Sequence, residues 1–398
     1  MDRQTRHIYV LLRNKIIGVD SIVPLCMQLH KECGVTFTFM FFDYSSFKAI
    51  RNDNIVLSDA INTIGRSVFV GRGSGKYKII SKIFPIFFLI KMVFNINFKK
   101  RYIMHTGGMN IKPLRFFLNL LPLERIIFNE VTPYGTRHPY SDKRTSEQFF
   151  HLRQTQDAYN KTKGQLPFLK AGVLIGYNKL WNFFKHPKAV NAHKIVFDDP
   201  RNPDAWIDFI KEKSSNYIDD ELDNNLLSHQ KNKHIIMVFI GRIHLDKTGG
   251  YPDSFVHIIQ EISKSVGNKM PIFIKPHIFS DLEFVKKCIS KGVTNNKMDY
   301  ILTKLHPSVL ASRAAMSIFI GNSTVIKEVS GLNVPIVQCL YGFDEQGVSM
   351  RSSKQADYIV TKQTDDLSNI INKLNSIDRL PIVYRERQQA LDCSFLQH

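Results

Sequence analysis

Two short pieces of the chain carry residue types and spacings suited to holding a phosphate. They are Ile-Lys-Pro-His at Ile274–His277 and Gly-Asn-Ser-Thr at Gly321–Thr324. Each closes an apolar, largely β-branched run, Pro271–Ile274 and Met316–Ile320, and each precedes a segment of helical character. A strand that ends in small or polar residues and then opens a helix presents its groups at the carboxyl edge of a parallel sheet. Helix-start N–H groups with neighbouring hydroxyls form an anion cradle there. The expected donor-binding residues are therefore Lys275, His277, Asn322, Ser323 and Thr324, together with Gly241 and Arg242 at the end of the run His234–Ile240. Glu328, one helical turn beyond Thr324, is expected to face the same pocket. The plainer alternatives are a core histidine at 277 and an N-cap pair at Ser323-Thr324.

Three further loops have chemical potential. Gly241-Arg242 ends an apolar run and leads through His244 to Asp246, Lys247 and Gly249-Gly250. This is neither a Walker loop nor a dinucleotide glycine pattern. Asp246 is the first choice for a catalytic carboxylate, against the plainer reading of a capping Asp. In the first half, His105-Thr106-Gly107-Gly108 follows a strand pattern, and its paired glycines imply close backbone approach to a ligand. Asn129-Glu130 ends the next strand pattern and leads towards Arg137 and His138. Glu130 is expected as a general base or acceptor-binding group, with His105 and Arg137 on the acceptor side. The plainer reading pairs Glu130 with Arg137. Asp198-Asp199 before Pro200 lacks a third ligand and reads as a turn, so no metal is expected.

The elements that must position these loops alternate between strand and helix patterns. Strands are expected at His7–Leu12, Val35–Phe42, Ser67–Val70, Tyr102–His105 and Arg125–Asn129, with a helix capped at Asp20 or Ser21 and stopped by Gly34. Ser141–Lys163 is polar with a helical pattern. Around Pro187–His229 turn signals and the acidic run Asp219-Asp220-Glu221 break the pattern. A second series then follows, with strands at His234–Ile240, Pro271–Ile274, Asp299–Leu302, Met316–Ile320, Val334–Gln338 and Asp357–Val360, and a last helix capped at Thr364. The expected class is α/β with two Rossmann-like domains. They are expected over 1–190 and 233–376, with a linker over 191–232 and a tail over 377–398.

Tyr77–Phe98 is the most apolar stretch, yet Lys82, Pro85 and Lys91 interrupt it. Three placements are open: a core helix with a basic rim, a helix docked on an anionic membrane surface, and a membrane span.

Lys and Arg outnumber Asp and Glu by 54 to 35 in 398 residues, a net charge of +19. Anionic partners or a membrane surface account for such an excess. Nucleic acid is disfavoured, because no zinc spacing, RNA-recognition aromatic motif or basic heptad region is present. The five cysteines form no CxxC pair. They read as reduced, mostly buried thiols. No signal-peptide pattern opens the chain, so a cytoplasmic location, peripheral on the inner membrane face, is expected.

The order Lys-Pro-His at 275–277 and Ser-Thr at 323–324 resembles bacterial GT-B glycosyltransferases that use CMP-activated sialic acid or Kdo. Those enzymes carry a His-Pro and a Ser-Ser/Thr motif; here Ile278 follows His277. The resemblance implies two domains facing a central cleft and metal-independent transfer of an acidic sugar, with release of CMP. The partners it implies are a nucleotide-sugar donor and a glycan or glycolipid acceptor. It also implies that His277 contacts the donor phosphate or protonates the departing CMP, that Ser323 and Thr324 bind that phosphate, that Lys275 compensates charge, and that Glu328 takes the ribose hydroxyls. Asp246 or Glu130 would supply the carboxylate. CDP-glycerol phosphotransferases share the motif order and give an alternative activity. A non-catalytic membrane- or polyanion-binding α/β protein is a further one.

Overall fold

His7–Leu12 (β1) and Thr36–Phe41 (β2) are buried along nearly their whole length, as strands are when both faces of their sheet are covered. The computed structural model describes residues 6–12, 16–42, 44–71, 80–105, 114–129, 172–176, 193–196, 201–241, 251–277, 280–293, 298–321, 323, 325–340, 355–362, 365–375, 391 and 393–396. These residues fall into two units, Met1–Ile207 with Arg387–His398, and Asp208–Glu386.

The first unit runs β1, α1 (Ile16–Cys33), β2, α2 (Tyr44–Asp53), α3 (Ile55–Ile64), β3 (Gly65–Phe69), α4 (Ile80–Phe98), β4 (Tyr102–His105), α5 (Leu114–Asn119), β5 (Ile126–Asn129), β6 (Val173–Gly176) and β7 (His193–Val196). Its sheet has the order β3-β2-β1-β4-β5-β6-β7, with every pairing parallel. Helix α1 starts at Ile16, so Asp20 and Ser21 lie inside it and do not cap it. Its apolar positions Val19, Ile22, Leu25, Cys26 and Leu29 are buried, and this packing extends the helix past the polar pair. It ends at Gly34, whose positive φ of 63° gives the left-handed stop. A Cβ on Gly65 would meet the Phe37 carbonyl oxygen at 2.1 Å, so β3 approaches β2 closely only because this residue has no side chain.

One face of this sheet is covered by α4 and α5. Leu89, Met92 and Ile96 of α4 and Phe117 and Leu118 of α5 pack with Tyr9, Leu11, Ile103 and Phe128 of the strands. Asn95 of α4 donates to the Tyr9 hydroxyl at 3.0 Å. No described helix is long and apolar enough to cross a membrane.

The cysteine expectation is corrected at two positions. Cys33, at the end of α1, and Cys393 form a disulfide across 360 residues, with Cα atoms 5.6 Å apart. The chain end is held there by other contacts too. Leu391 N–H donates to Glu32 at 2.6 Å, the Tyr102 hydroxyl donates to the Phe395 carbonyl at 3.4 Å, and Phe395 and Leu396 are buried. Cys26, Cys288 and Cys339 are free, buried thiols, and burial pushes the Cys339 thiol up to about 12.

Residues 191–232, expected as a linker, contain β7 and a long helix, α6 (Asp204–Asn224), within which the boundary between the units falls. Trp206, Phe209, Ile210, Tyr217, Ile218 and Leu222 are buried along it.

The second unit continues with β8 (Ile235–Ile240), α7 (Tyr251–Val266), β9 (Ile272–Lys275), α8 (Leu282–Gly292), β10 (Tyr300–Leu302), α9 (Pro307–Ala311), β11 (Ala314–Ile320), α10 (Val325–Ser330), β12 (Ile336–Cys339), β13 (Tyr358–Val360) and α11 (Leu367–Asn375). Its strands are ordered β10-β9-β8-β11-β12-β13, again all parallel. Alternate residues Ile236, Val238 and Ile240, with Ile272, Ile274, Met316 and Ile318, pack under α7, α8 and α11. On the other face Phe239 and Phe319 stack at 4.7 Å, and Arg313 pairs with Asp219 of α6 at 2.6 Å. Asp281 caps α8 by accepting from the N–H groups of Glu283 and Phe284. Asp366 accepts from the Asn369 N–H at 2.8 Å just ahead of α11; Thr364, the expected cap, lies outside the described residues.

Candidate functional site

Both sheets reverse their strand order once, between β1 and β4 in the first unit and between β8 and β11 in the second. Open parallel sheets bind ligands at the carboxyl ends of the strands flanking such a reversal. In the second unit that place is occupied by Gly241 and Gly321. The Gly241 N–H donates to the Ile320 carbonyl at 2.9 Å, and the Gly321 N–H donates to the Cys339 carbonyl at the same distance. Gly321 has φ +79°, a left-handed conformation that turns the chain sharply off the end of β11. Gln338 donates to the Gly321 carbonyl at 3.4 Å from within the core. Next comes Ser323, half-buried, whose hydroxyl oxygen accepts from the Val325 N–H at 3.2 Å and so caps α10. Gly241, Gly321 and Ser323 are thus gathered at one strand-order reversal.

Lys275 and His277 stand at the end of β9, which lies on the far side of β8 from β11. Lys275 donates to the Lys304 carbonyl at 3.1 Å. Burial pushes the Glu221 carboxyl of α6 up, opposed by a hydrogen bond from Thr303 and by the charge of Lys275. Lys275 is therefore engaged with α6 and the end of β10. The His277 side chain is half-buried, and its carbonyl accepts from the Ser280 N–H at 2.8 Å.

Glu328, expected to look into a pocket, is buried on α10. Its Oε1 accepts the Ser308 hydroxyl at 2.7 Å and lies 3.4 Å from His306 Nδ1. His306 caps α9 through Ser308 N–H at 3.3 Å. The carboxylate thereby joins α9 to α10 beneath the strand reversal. Twenty residues separate Ser308 from Glu328, and neither side chain signals the other locally.

In the first unit His105 ends β4, beside the corresponding reversal. It is buried, its ring meets Phe128 edge-on at 5.3 Å, and burial lowers its pKa to about 4. A neutral imidazole is the stable form there at neutral pH. At the opposite strand ends, His7 meets the Thr36 and Thr38 hydroxyls at 2.9 and 3.0 Å. Burial, then the charges of Arg101 and Arg66, lowers its pKa to about 4 as well.

Asp246, Glu130, Arg242, Asn322, Thr324 and Arg137 lie outside the described residues, as do Asp198, Asp199 and Ser141–Lys163. Among the described residues no group of three His, Cys, Asp or Glu side chains could hold a metal ion.

No family model matches the sequence, and no curated protein matches it either. Solved structures do resemble it. The UDP-GlcNAc 2-epimerase from Neisseria meningitidis bound to UDP-GlcNAc is similar with a TM-score of 0.51 and 10% identity, over 94% of this chain and 95% of that one. The UDP-GlcNAc 2-epimerase from Methanocaldococcus jannaschii has a TM-score of 0.49 and 13% identity, over 98% and 95%. A glycosyl transferase family 9 protein from Veillonella parvula has 0.39 and 14%, over 96% and 94%. At such identities the likeness is one of fold. The chain is built from two Rossmann-like α/β units of the GT-B-like class.

Proposed function

We propose that the chain is a nucleotide-sugar-dependent glycosyltransferase whose second unit holds the nucleotide at the β8–β11 reversal. The observation that carries this reading is the adjacency of Gly241 and Gly321 at that reversal, with Ser323 capping the helix that follows. In this proposal the Ser323 hydroxyl and the neighbouring backbone N–H groups take charge from the departing phosphate, and His277 supplies a further hydrogen bond or the proton. Removing one preorganised donor of this kind raises a barrier by about 3 kcal/mol. Asp246 or Glu130 is proposed for the catalytic carboxylate, whereas Glu328, held by Ser308 in the interior, is left to a supporting role beneath the site. The acceptor is proposed to be a glycan or glycolipid.

The motif order Lys-Pro-His and Ser-Thr favours a CMP-linked acidic sugar. A UDP-linked sugar is the second reading. It is favoured by the fold likeness to a UDP-GlcNAc complex, and with it comes epimerisation as an alternative outcome at the same site. Calorimetric titration with CMP, CDP and UDP, followed by nucleotide-release assays with CMP-Kdo, CMP-sialic acid and UDP-GlcNAc, separates the two. The proposal expects saturable binding of one nucleotide, weakened by Ser323→Ala, and turnover of the matching sugar. Phosphorus carried into the product would instead identify a polyol phosphotransferase. Absence of binding by all three nucleotides overturns the reading.

A further inference from the structure

Helix α4 has two different apolar faces. Leu89, Met92 and Ile96 point into the core with α5 and the sheet. Phe87, Ile90, Phe94 and Phe98 recur at spacings of three and four on the other face and are exposed, Phe87 by 65% and Phe98 by 73%. The rings of Phe94 and Phe98 lie 4.6 Å apart in solvent. Phe116 and Leu120, on and just after α5, are exposed too. Because α4 and α5 cover the same sheet face, their outward residues extend a single apolar surface.

Charge narrows what covers that surface. Lys91, Lys99 and Lys100 are exposed beside the stripe. Between Asp59 and Glu124 the sequence holds eleven Lys or Arg and no acidic residue. A convex helix carrying aromatic and aliphatic side chains, rimmed by lysines, suits a fluid anionic surface that needs no shape-matched groove. Lysines near such a surface are attracted by its negative potential. The opposite face of α4 is locked in the core, so the helix would lie along a bilayer and not through it.

We propose that the outward face of α4 and α5 docks the first unit flat on an anionic lipid bilayer, with Phe87, Ile90, Phe94 and Phe98 entering the interface and Lys91, Lys99 and Lys100 at the headgroups. The inference stands independently of the activity proposed above. The test is co-sedimentation of the full chain with vesicles of phosphatidylcholine alone and of phosphatidylcholine with phosphatidylglycerol, at low and high salt. Sedimentation with the anionic vesicles, weakened about tenfold by high salt, is expected. A Phe94→Glu/Phe98→Glu variant and a Lys91→Glu/Lys99→Glu variant should each lose at least about tenfold in partitioning while keeping the wild-type circular dichroism. These side chains are exposed, so the fold does not depend on them. Equal binding to both vesicle types, or variants that sediment like wild type, overturns the proposal. So does a lipid-indifferent dimer that Phe94→Glu/Phe98→Glu dissociates, which would assign the surface to a second copy of the chain.

Discussion

Ser308 donates its hydroxyl to Oε1 of Glu328 at 2.7 Å, and both side chains are closed off from solvent. This bond ties α9 to α10, the helix that follows Ser323. A change at Glu328 therefore reaches the strand reversal through structure even before any ligand is considered.

Glu328→Ala removes the acceptor and leaves a buried hydroxyl without it, a loss of about 1–3 kcal/mol. Glu328→Gln keeps a side-chain oxygen and is expected to cost less. Urea unfolding of the three proteins checks the ranking, and equal midpoints for Ala and wild type would contradict it. Nucleotide affinity measured on the Gln variant, where the fold is better kept, separates a ligand contact from a packing role.

Gly321 adopts φ +79°, and a Cβ in that region costs about 1–2 kcal/mol. Gly321→Ala should lower the melting temperature, and Gly321→Asn should do so by less. If the proposed site is correct, the Ala variant also binds nucleotide more weakly than its stability loss alone explains. Differential scanning fluorimetry with and without nucleotide reads both effects.

Burial lowers the pKa values of His105 and His7 to about 4, from the 6.5 of an imidazole in water. Between those values the unfolded chain binds protons that the folded chain does not. Stability is therefore full above about 6.5 and declines as the pH falls towards about 4. Melting temperatures across that window should drop progressively with acidity. His105→Gln should flatten the slope even if it lowers the value at neutral pH, and an unchanged slope would show that His105 is not one of its sources.

The Cys33–Cys393 disulfide closes a 360-residue separation. Losing it is expected to cost about 2–5 kcal/mol. Cys393→Ser, or dithiothreitol treatment of the wild type, should lower the unfolding midpoint of the first unit and change mobility on non-reducing gels. Reductant should leave the Cys393→Ser protein unaffected.

Much of the fold is legible because the strands are buried apolar runs. His7–Leu12 and Tyr102–His105 are seen at the expected residues, and all six strands expected in the second half are present within a few residues. Helix α6 was hidden by Ser214-Ser215-Asn216 and by the acidic run at its end. Trp206, Phe209, Ile210, Tyr217, Ile218 and Leu222 nonetheless keep helical spacing. Its acidic residues read as turn signals because their partners, Arg313 and Thr303, are about eighty or more residues away. The same limit conceals the Ser308–Glu328 bond and the disulfide. Gly241, Gly321 and Ser323 were marked by composition next to a strand end. What composition could not supply was that Glu328 is anchored to Ser308, or that Lys275 is engaged with the Lys304 carbonyl and the charge of Glu221.

The return of residues 391–396 to the first unit has a consequence in time. Cys393, Phe395 and Leu396 are made only after every residue of the second unit has been polymerised. During synthesis the end of α1 lacks its covalent partner, and Tyr102 lacks the carbonyl its hydroxyl meets. The first unit to emerge is thus among the last to be finished, and its closing stitch waits for the rest of the chain.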